Sequence, residues 1–129
     1  MNDEDIVADA SAILAALKNE PFGRFHPEQL IGGAISAVNL SEVLAKLAAD
    51  GLNEAQANAA ADRLNLRVFA FDRQQAGIAA QLWASTRRAG LSFGDRACLA
   101  LALTLRRAAV TADRAWARVD VGVEIILIR

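Results

Sequence analysis

The sequence predicts an α/β fold, a three-layer α/β/α arrangement around a central, mostly parallel five-stranded sheet. Three observations predict it. Short apolar runs alternate along the chain with helix-period segments, as a parallel sheet with crossover helices requires. Alanine and leucine dominate, with only two prolines and no tyrosine among 129 residues, which favours helices over an all-β sandwich. Hydrophobic residues make up 54% and charged residues 22%, enough to bury a sizeable core and too apolar for a disordered chain. The length fits one domain, 1–129, with little room for a second.

The first strand is Ile6-Val7-Ala8, ending at Asp9, and Ser11 to Asn19 reads as the helix that follows. Pro21, Gly23 and Pro27 mark a loop with a short helix behind it. The second strand is Ala34-Ile35-Ser36-Ala37-Val38, closed by Asn39. A helix from Leu40 to Asp50 follows, with Gly51 as its C-cap. Asn53 caps a helix through Leu64, and Gln56 completes a capping box. The third strand is Arg67 to Phe71, and a helix from Arg73 to Arg88 ends before Gly90. Ser92 starts the helix Phe93 to Arg107, whose Ala97, Cys98, Leu101, Ala102 and Leu105 form an apolar stripe. Ala109-Val110-Thr111 is the fourth strand, Arg114 to Arg118 a short helix and Val123 to Ile128 the last strand.

No stretch reaches the ~18 apolar residues needed to span a bilayer. The acidic start Met1 to Asp5 lacks the basic region of a signal peptide, so a cytoplasmic protein without membrane contact is expected. The lone Cys98 excludes an internal disulfide and a structural zinc site. The net charge of −1 hides an asymmetry: residues 1–63 carry ten acids and four bases, residues 64–129 five acids and ten bases. That balance permits a polyanionic partner without demanding one.

Four acids stand out by their place in the topology. In a parallel sheet with right-handed crossovers the C-terminal ends of all strands share one edge, where ligand sites form. Asp9 follows the first strand and Asp113 lies two residues past Thr111. Glu42 and Asp95 fall in the first turns of helices that begin on the same edge. Clustered carboxylates raise one another's pKa and destabilise the fold unless a cation compensates them. Hard oxygen ligands suit Mg2+, with Mn2+ as a substitute, and such a site can hold a phosphodiester and activate a water. A plainer reading also holds. Asn39-x-x-Glu42 and Ser92-x-x-Asp95 have capping-box spacing, and Asp9 and Asp113 are equally placed to cap helices. Asp72, with Gln75 at cap spacing, sits on that edge and reads only as a cap. Pattern alone leaves caps and metal site both open.

The motifs themselves resemble a family. Ile6 to Ala15 is similar to the first motif of PIN-domain nucleases, specifically the VapC toxins of bacterial toxin–antitoxin pairs. Asn39-Leu40-Ser41-Glu42-Val43 resembles the second motif, Leu91 to Ala100 the third and Val110 to Trp116 the fourth. Order, spacing and length agree over essentially the whole chain. The resemblance implies a Mg2+-dependent endoribonuclease whose acidic site is Asp9, Glu42, Asp95 and Asp113. It implies that Ser11 and Thr111 orient metal-bound water or phosphate. It further implies a homodimer and a VapB-type antitoxin that blocks the site. Ala117 and Arg118 stand where some members carry a further acid, so no fifth ligand is expected. Met1 to Asp5 make a longer lead-in than the family pattern suggests.

Among other residues, Arg96 and Arg114 directly follow site acids and are the candidate RNA phosphate contacts. Arg87, Arg88, Arg106, Arg107 and Arg118 read as solvated helix faces. Cys98 reads as a buried inert thiol, since the distant His26 is the only histidine. Trp116 reads as core beneath the fourth motif, with base stacking as the alternative. A phosphoryl-accepting receiver needs a lysine after the last strand region, yet the only lysines are Lys18 and Lys46. A haloacid-dehalogenase-type phosphatase needs aspartate where Ser11 stands, and a P-loop enzyme needs Gly-Lys-Ser/Thr, which is absent. The non-enzyme alternative is a catalytically inert PIN-like module that binds RNA or protein.

Overall fold

The computed structural model describes residues 6–129, so the acidic lead-in Met1 to Asp5 lies outside the described residues. Its five strands are β1 (Ile6–Ala8), β2 (Ala34–Ser36), β3 (Arg67–Phe69), β4 (Ala108–Thr111) and β5 (Ile125–Leu127). They form one sheet in the order β3-β2-β1-β4-β5, and every pairing is parallel. The helices are α1 (Ala10–Leu17), α2 (Ala37–Ala49), α3 (Glu54–Asp62), α4 (Arg73–Gln81), α5 (Trp83–Thr86) and α6 (Phe93–Leu105). Tight 3-10 turns cover Pro27–Leu30, Arg87–Ala89 and Arg114–Arg118.

The central strands are apolar up to the hydroxyl residues that end β2 and β4, Ser36 and Thr111, because both faces of the sheet are covered. Side chains alternate between two cores. Ile6, Ala8, Ile35 and Val110 join Ile13, Leu30, Val43 and Leu47 on one side. Val7, Ala34 and Ala109 join Cys98, Leu99, Leu101 and Trp116 on the other. Val7, Ile13, Ile35, Val110 and Trp116 are all fully buried. At roughly 25 cal/mol per Å2 of apolar surface, such burial is the main favourable term of the fold. Among the described residues no helix is long and apolar enough to cross a membrane.

Strand order reverses between β1 and β4: the chain steps outward through β2 and β3, then returns to the other side of β1. Side by side at this reversal, β1 and β4 align Ala8 with Val110. The Asp9 amide donates to the Val110 carbonyl at 3.1 Å. A crevice at such a switch point is where open α/β sheets bind ligands.

Two differences from the sequence reading exceed shifts of one or two residues at element ends. The second strand stops at Ser36 rather than at Val38. The Ser36 hydroxyl accepts the Val38 amide at 3.2 Å and starts α2 three residues earlier than expected. The chosen N-cap places Asn39 inside the helix and moves Glu42 to the second turn. The helix expected from Arg73 to Arg88 is broken at Leu82 into α4, α5 and a 3-10 turn. There the Leu82 carbonyl accepts both the Thr86 hydroxyl at 2.7 Å and the Thr86 amide at 3.1 Å, the back-bonding that often bends helices. Gly90 ends this segment at φ 78°, a left-handed conformation that glycine adopts without a Cβ penalty.

Candidate functional site

Asp9 follows β1 directly at the switch point and is only 3% exposed. As the N-cap of α1 it accepts the Ala12 amide on Oδ1 at 2.9 Å. The Ser11 hydroxyl lies 2.8 Å from Oδ1 and 2.9 Å from Oδ2, and the Thr111 hydroxyl donates to Oδ2 at 2.5 Å. These donors favour the ionised carboxylate, but desolvation by burial outweighs them. The Asp9 pKa is raised to about 6, with the charge of Asp95 adding to the rise.

The two hydroxyls tie β1 to β4. The Ala112 amide donates to Ser11 Oγ at 2.9 Å, and the Asp113 amide donates to Thr111 Oγ1 at 3.0 Å. In the structure, therefore, Ser11 and Thr111 orient Asp9 directly, and Thr111 also fixes the backbone that carries Asp113. That carboxylate is exposed and caps the turn Arg114–Arg118 by accepting the Ala115 amide at 2.9 Å.

Asp95 is half-buried in the first turn of α6. It closes a capping box with Ser92: the Ser92 amide donates to Asp95 Oδ2 at 2.8 Å, and the Asp95 amide donates to Ser92 Oγ at 3.2 Å. Burial raises its pKa, the Ser92 bonds oppose the rise, and the charge of Asp113 adds to it. The fully buried Trp116 indole N–H acts on Asp95 in the charged form's favour without meeting hydrogen-bond geometry. Its burial settles the sequence alternatives for Trp116 in favour of core packing.

Glu42 is exposed and approaches from α2. The Asn39 side-chain amide donates to Glu42 Oε1 at 2.9 Å and to the Gly94 carbonyl at 2.9 Å. Gly94 sits so close that an added Cβ would fall within the Glu42 carboxylate. Beneath the group, the fully buried Cys98 thiol feels the charges of Asp9, Asp95 and Glu42. Burial first, and these charges after it, hold its pKa well above the usual thiol range, as suits an inert buried thiol.

The topology thus brings the four acids to one edge and couples them in a chain: Asp9 to Asp95, Asp95 to Asp113, and Glu42 to α6 through Gly94. Three of the four are also caps or cap partners. For Glu42 the capping reading fails, because Ser36 starts that helix and leaves Glu42 in its second turn. Among the described residues no three Asp, Glu, His or Cys side chains are gathered closely enough to enclose a metal ion. Asp72 caps α4 through the Gln75 amide at 3.0 Å. Of the two arginines, Arg96 donates to the Ala79 carbonyl at 3.0 Å and lies over the Phe93 ring at 5.8 Å, turned toward α4. Arg114 is exposed beside Asp113. Sequence reading took Asn39 for a cap and missed its contact with Gly94. Its spacing to Glu42 was the available signal, and it was shared by the capping box.

Gly94→Ala provides a local check. The end of a flexible side chain gives way cheaply, and alanine favours a helix by up to about 1 kcal/mol over glycine. The variant is expected to unfold no earlier than the parent while Glu42 leaves Asn39. A crystal structure of the variant together with a thermal melt checks both halves.

A parallel α/β sheet whose switch point carries carboxylates on the ends of β1 and β4, on α2 and on α6 defines a class, and the family comparison agrees with it. The chain belongs to the PIN domain family, whose pattern it matches over residues 6–122. Its fold is similar to that of VapBC from Salmonella typhimurium bound to DNA. There the TM-score is 0.74 and the identity 20%, over 97% of this chain and 98% of that one. It is also similar to VapBC2 from Rickettsia felis bound to a promoter DNA fragment, with TM-score 0.72 and 14% identity over 96% and 98% of the two chains. FitAcB from Neisseria gonorrhoeae gives TM-score 0.65 and 22% identity over 94% and 96%. No curated protein matches the chain.

Proposed function

We propose that this chain is a Mg2+-dependent endoribonuclease that acts as the toxin of a VapBC-type toxin–antitoxin pair, with 1–129 as its single PIN domain. The observation that carries the reading is Asp9. A buried carboxylate at the switch point of the sheet has its pKa raised to about 6 by burial, and the charge it feels is that of another carboxylate, Asp95. PIN domains are generally nucleases, and the fold neighbours with VapB-type partners support the toxin assignment.

The residues fit a hard divalent cation. All candidate ligands are carboxylate oxygens, and the chemistry of the set favours Mg2+ or Mn2+ over softer metals. Mg2+ takes one or two carboxylates and keeps several waters, which matches a site where Asp9 and Asp95 act on each other and Glu42 and Asp113 stand on a more exposed rim. When bound, the metal would polarise the phosphodiester and lower the pKa of a water. The protein's own part is positional. Ser11, Thr111 and the Ala12 amide hold Asp9 in one orientation, Ser92 holds Asp95, and Thr111 sets the start of the segment carrying Asp113. Arg114, exposed next to Asp113, is the arginine assigned to a backbone phosphate of the RNA, and Arg96 keeps α4 against α6. Homodimerisation, a VapB-type antitoxin partner and a cytoplasmic setting complete the proposal.

The test uses the purified chain and a labelled single-stranded or loop-containing RNA. Cleavage is expected with Mg2+ or Mn2+, is abolished by EDTA and returns when the metal is added back. Cleavage that persists in EDTA overturns the metal dependence. An adjacent reading frame for a small DNA-binding protein that silences the activity on co-expression supports the pairing, and failure of any co-expressed neighbour to do so removes the antitoxin part.

A further inference from the structure

Asn39 is 1% exposed, yet the carboxylate it holds is exposed. The two residues lie three positions apart on one face of α2. The amide nitrogen has two hydrogens and meets two acceptors, Glu42 Oε1 and the Gly94 carbonyl, each at 2.9 Å. Those acceptors fix the orientation of the amide, because the flipped form would set Oδ1 against two other oxygens. Asn39 Oδ1 is itself buried without a hydrogen-bond partner, an arrangement that packing alone would not favour over an apolar side chain. Gly94 completes the arrangement by leaving room that any Cβ would take from the carboxylate.

We propose that Asn39 is a positioning residue for Glu42: its buried amide ties the Glu42 carboxylate to the backbone beside Asp95 and so sets the distance between the α2 acid and the α6 acid. Serine at this position offers one hydrogen and cannot bridge both acceptors; aspartate offers none when ionised. Glycine at position 94 is the second half of the device. The consequence for metal binding rests on the Mg2+ site proposed above, whereas the clamp exists without it.

The experiment is a double-mutant cycle with Asn39→Ala and Glu42→Ala, read by calorimetric titration of Mn2+ and by urea unfolding of the metal-free protein. Asn39→Ala is expected to weaken Mn2+ binding by about 10- to 100-fold. In the Glu42→Ala background the same change is expected to alter binding about twofold or less. Asn39→Ser, which keeps one donor, is expected to fall between and serves in place of Asn39→Ala if that variant does not fold. Unchanged affinity in the single variant overturns the proposal, as does an equal loss in both backgrounds, which a merely structural role would give. In metal-free unfolding the two substitutions are expected to be non-additive, and additivity overturns the clamp. A parent chain that binds no Mn2+ defeats the metal-site reading, while the metal-free cycle still decides the clamp.

Discussion

At pH 7.5 and without divalent cation, Asp9→Asn is expected to be more stable than the parent chain by about 3 kcal/mol. The reason is the pKa of the buried carboxyl, raised from 3.8 to about 6 chiefly by desolvation. The folded state holds the Asp9 proton up to about pH 6, while the unfolded chain releases it near pH 3.8. Between those values the folded state binds more protons, so stability falls as pH rises through the window, and the penalty is complete above it. Asparagine carries no charge and escapes the penalty, while its Oδ1 still accepts the Ala12 amide as an N-cap. The gap between variant and parent should therefore close on acidification below about pH 4. Saturating Mg2+ should reverse the order at pH 7.5, because a cation bound to the folded parent stabilises it in proportion to the logarithm of its concentration over Kd. Urea unfolding across this pH range, with and without Mg2+, checks each statement. A parent as stable as the variant at pH 7.5, or a gap that widens on acidification, contradicts the assignment.

Asp95→Asn is expected to lower RNA cleavage on the order of 10³-fold or more while leaving the fold intact. The separation of the two effects follows from the capping box. Asparagine at position 95 still accepts the Ser92 amide, so the start of α6 keeps its cap, whereas the negative charge proposed to face the metal is gone. Far-ultraviolet circular dichroism and the melting midpoint should match the parent within a few degrees. Cleavage at the parent's rate by this variant removes Asp95 from the site.

The residues that end strands were legible in the sequence for a simple reason. Apolar runs on the central strands stop where polar caps begin, and Asp9 and Asp113 mark such stops. The three-layer fold and its parallel sheet followed from the same alternation. The start of α2 was not legible in this way. Ala34 to Val38 is apolar but for Ser36, and strand and helix both fit so short a run. Asn39 offered a cap, and nothing local showed that Ser36 would take that part. That one shift moved Glu42 by a turn and hid the role of Asn39, whose partner Gly94 lies 55 residues away in sequence. The break at Leu82 was equally silent, with neither glycine nor proline to announce it. Ser11 and Thr111 entered through a resemblance that assigned them to water or phosphate. The structure adds that their hydroxyls meet on Asp9, a contact between positions about a hundred residues apart that periodicity cannot carry.

These acids are proposed to bind a divalent cation. The most direct test is a calorimetric titration of Mn2+ into the metal-free parent and into the Asp9→Asn/Asp95→Asn double variant at pH 7.5. Saturable binding to the parent is expected, and none to the folded variant at the same concentrations. Equal binding to both proteins, or no binding to the parent, would contradict that proposal.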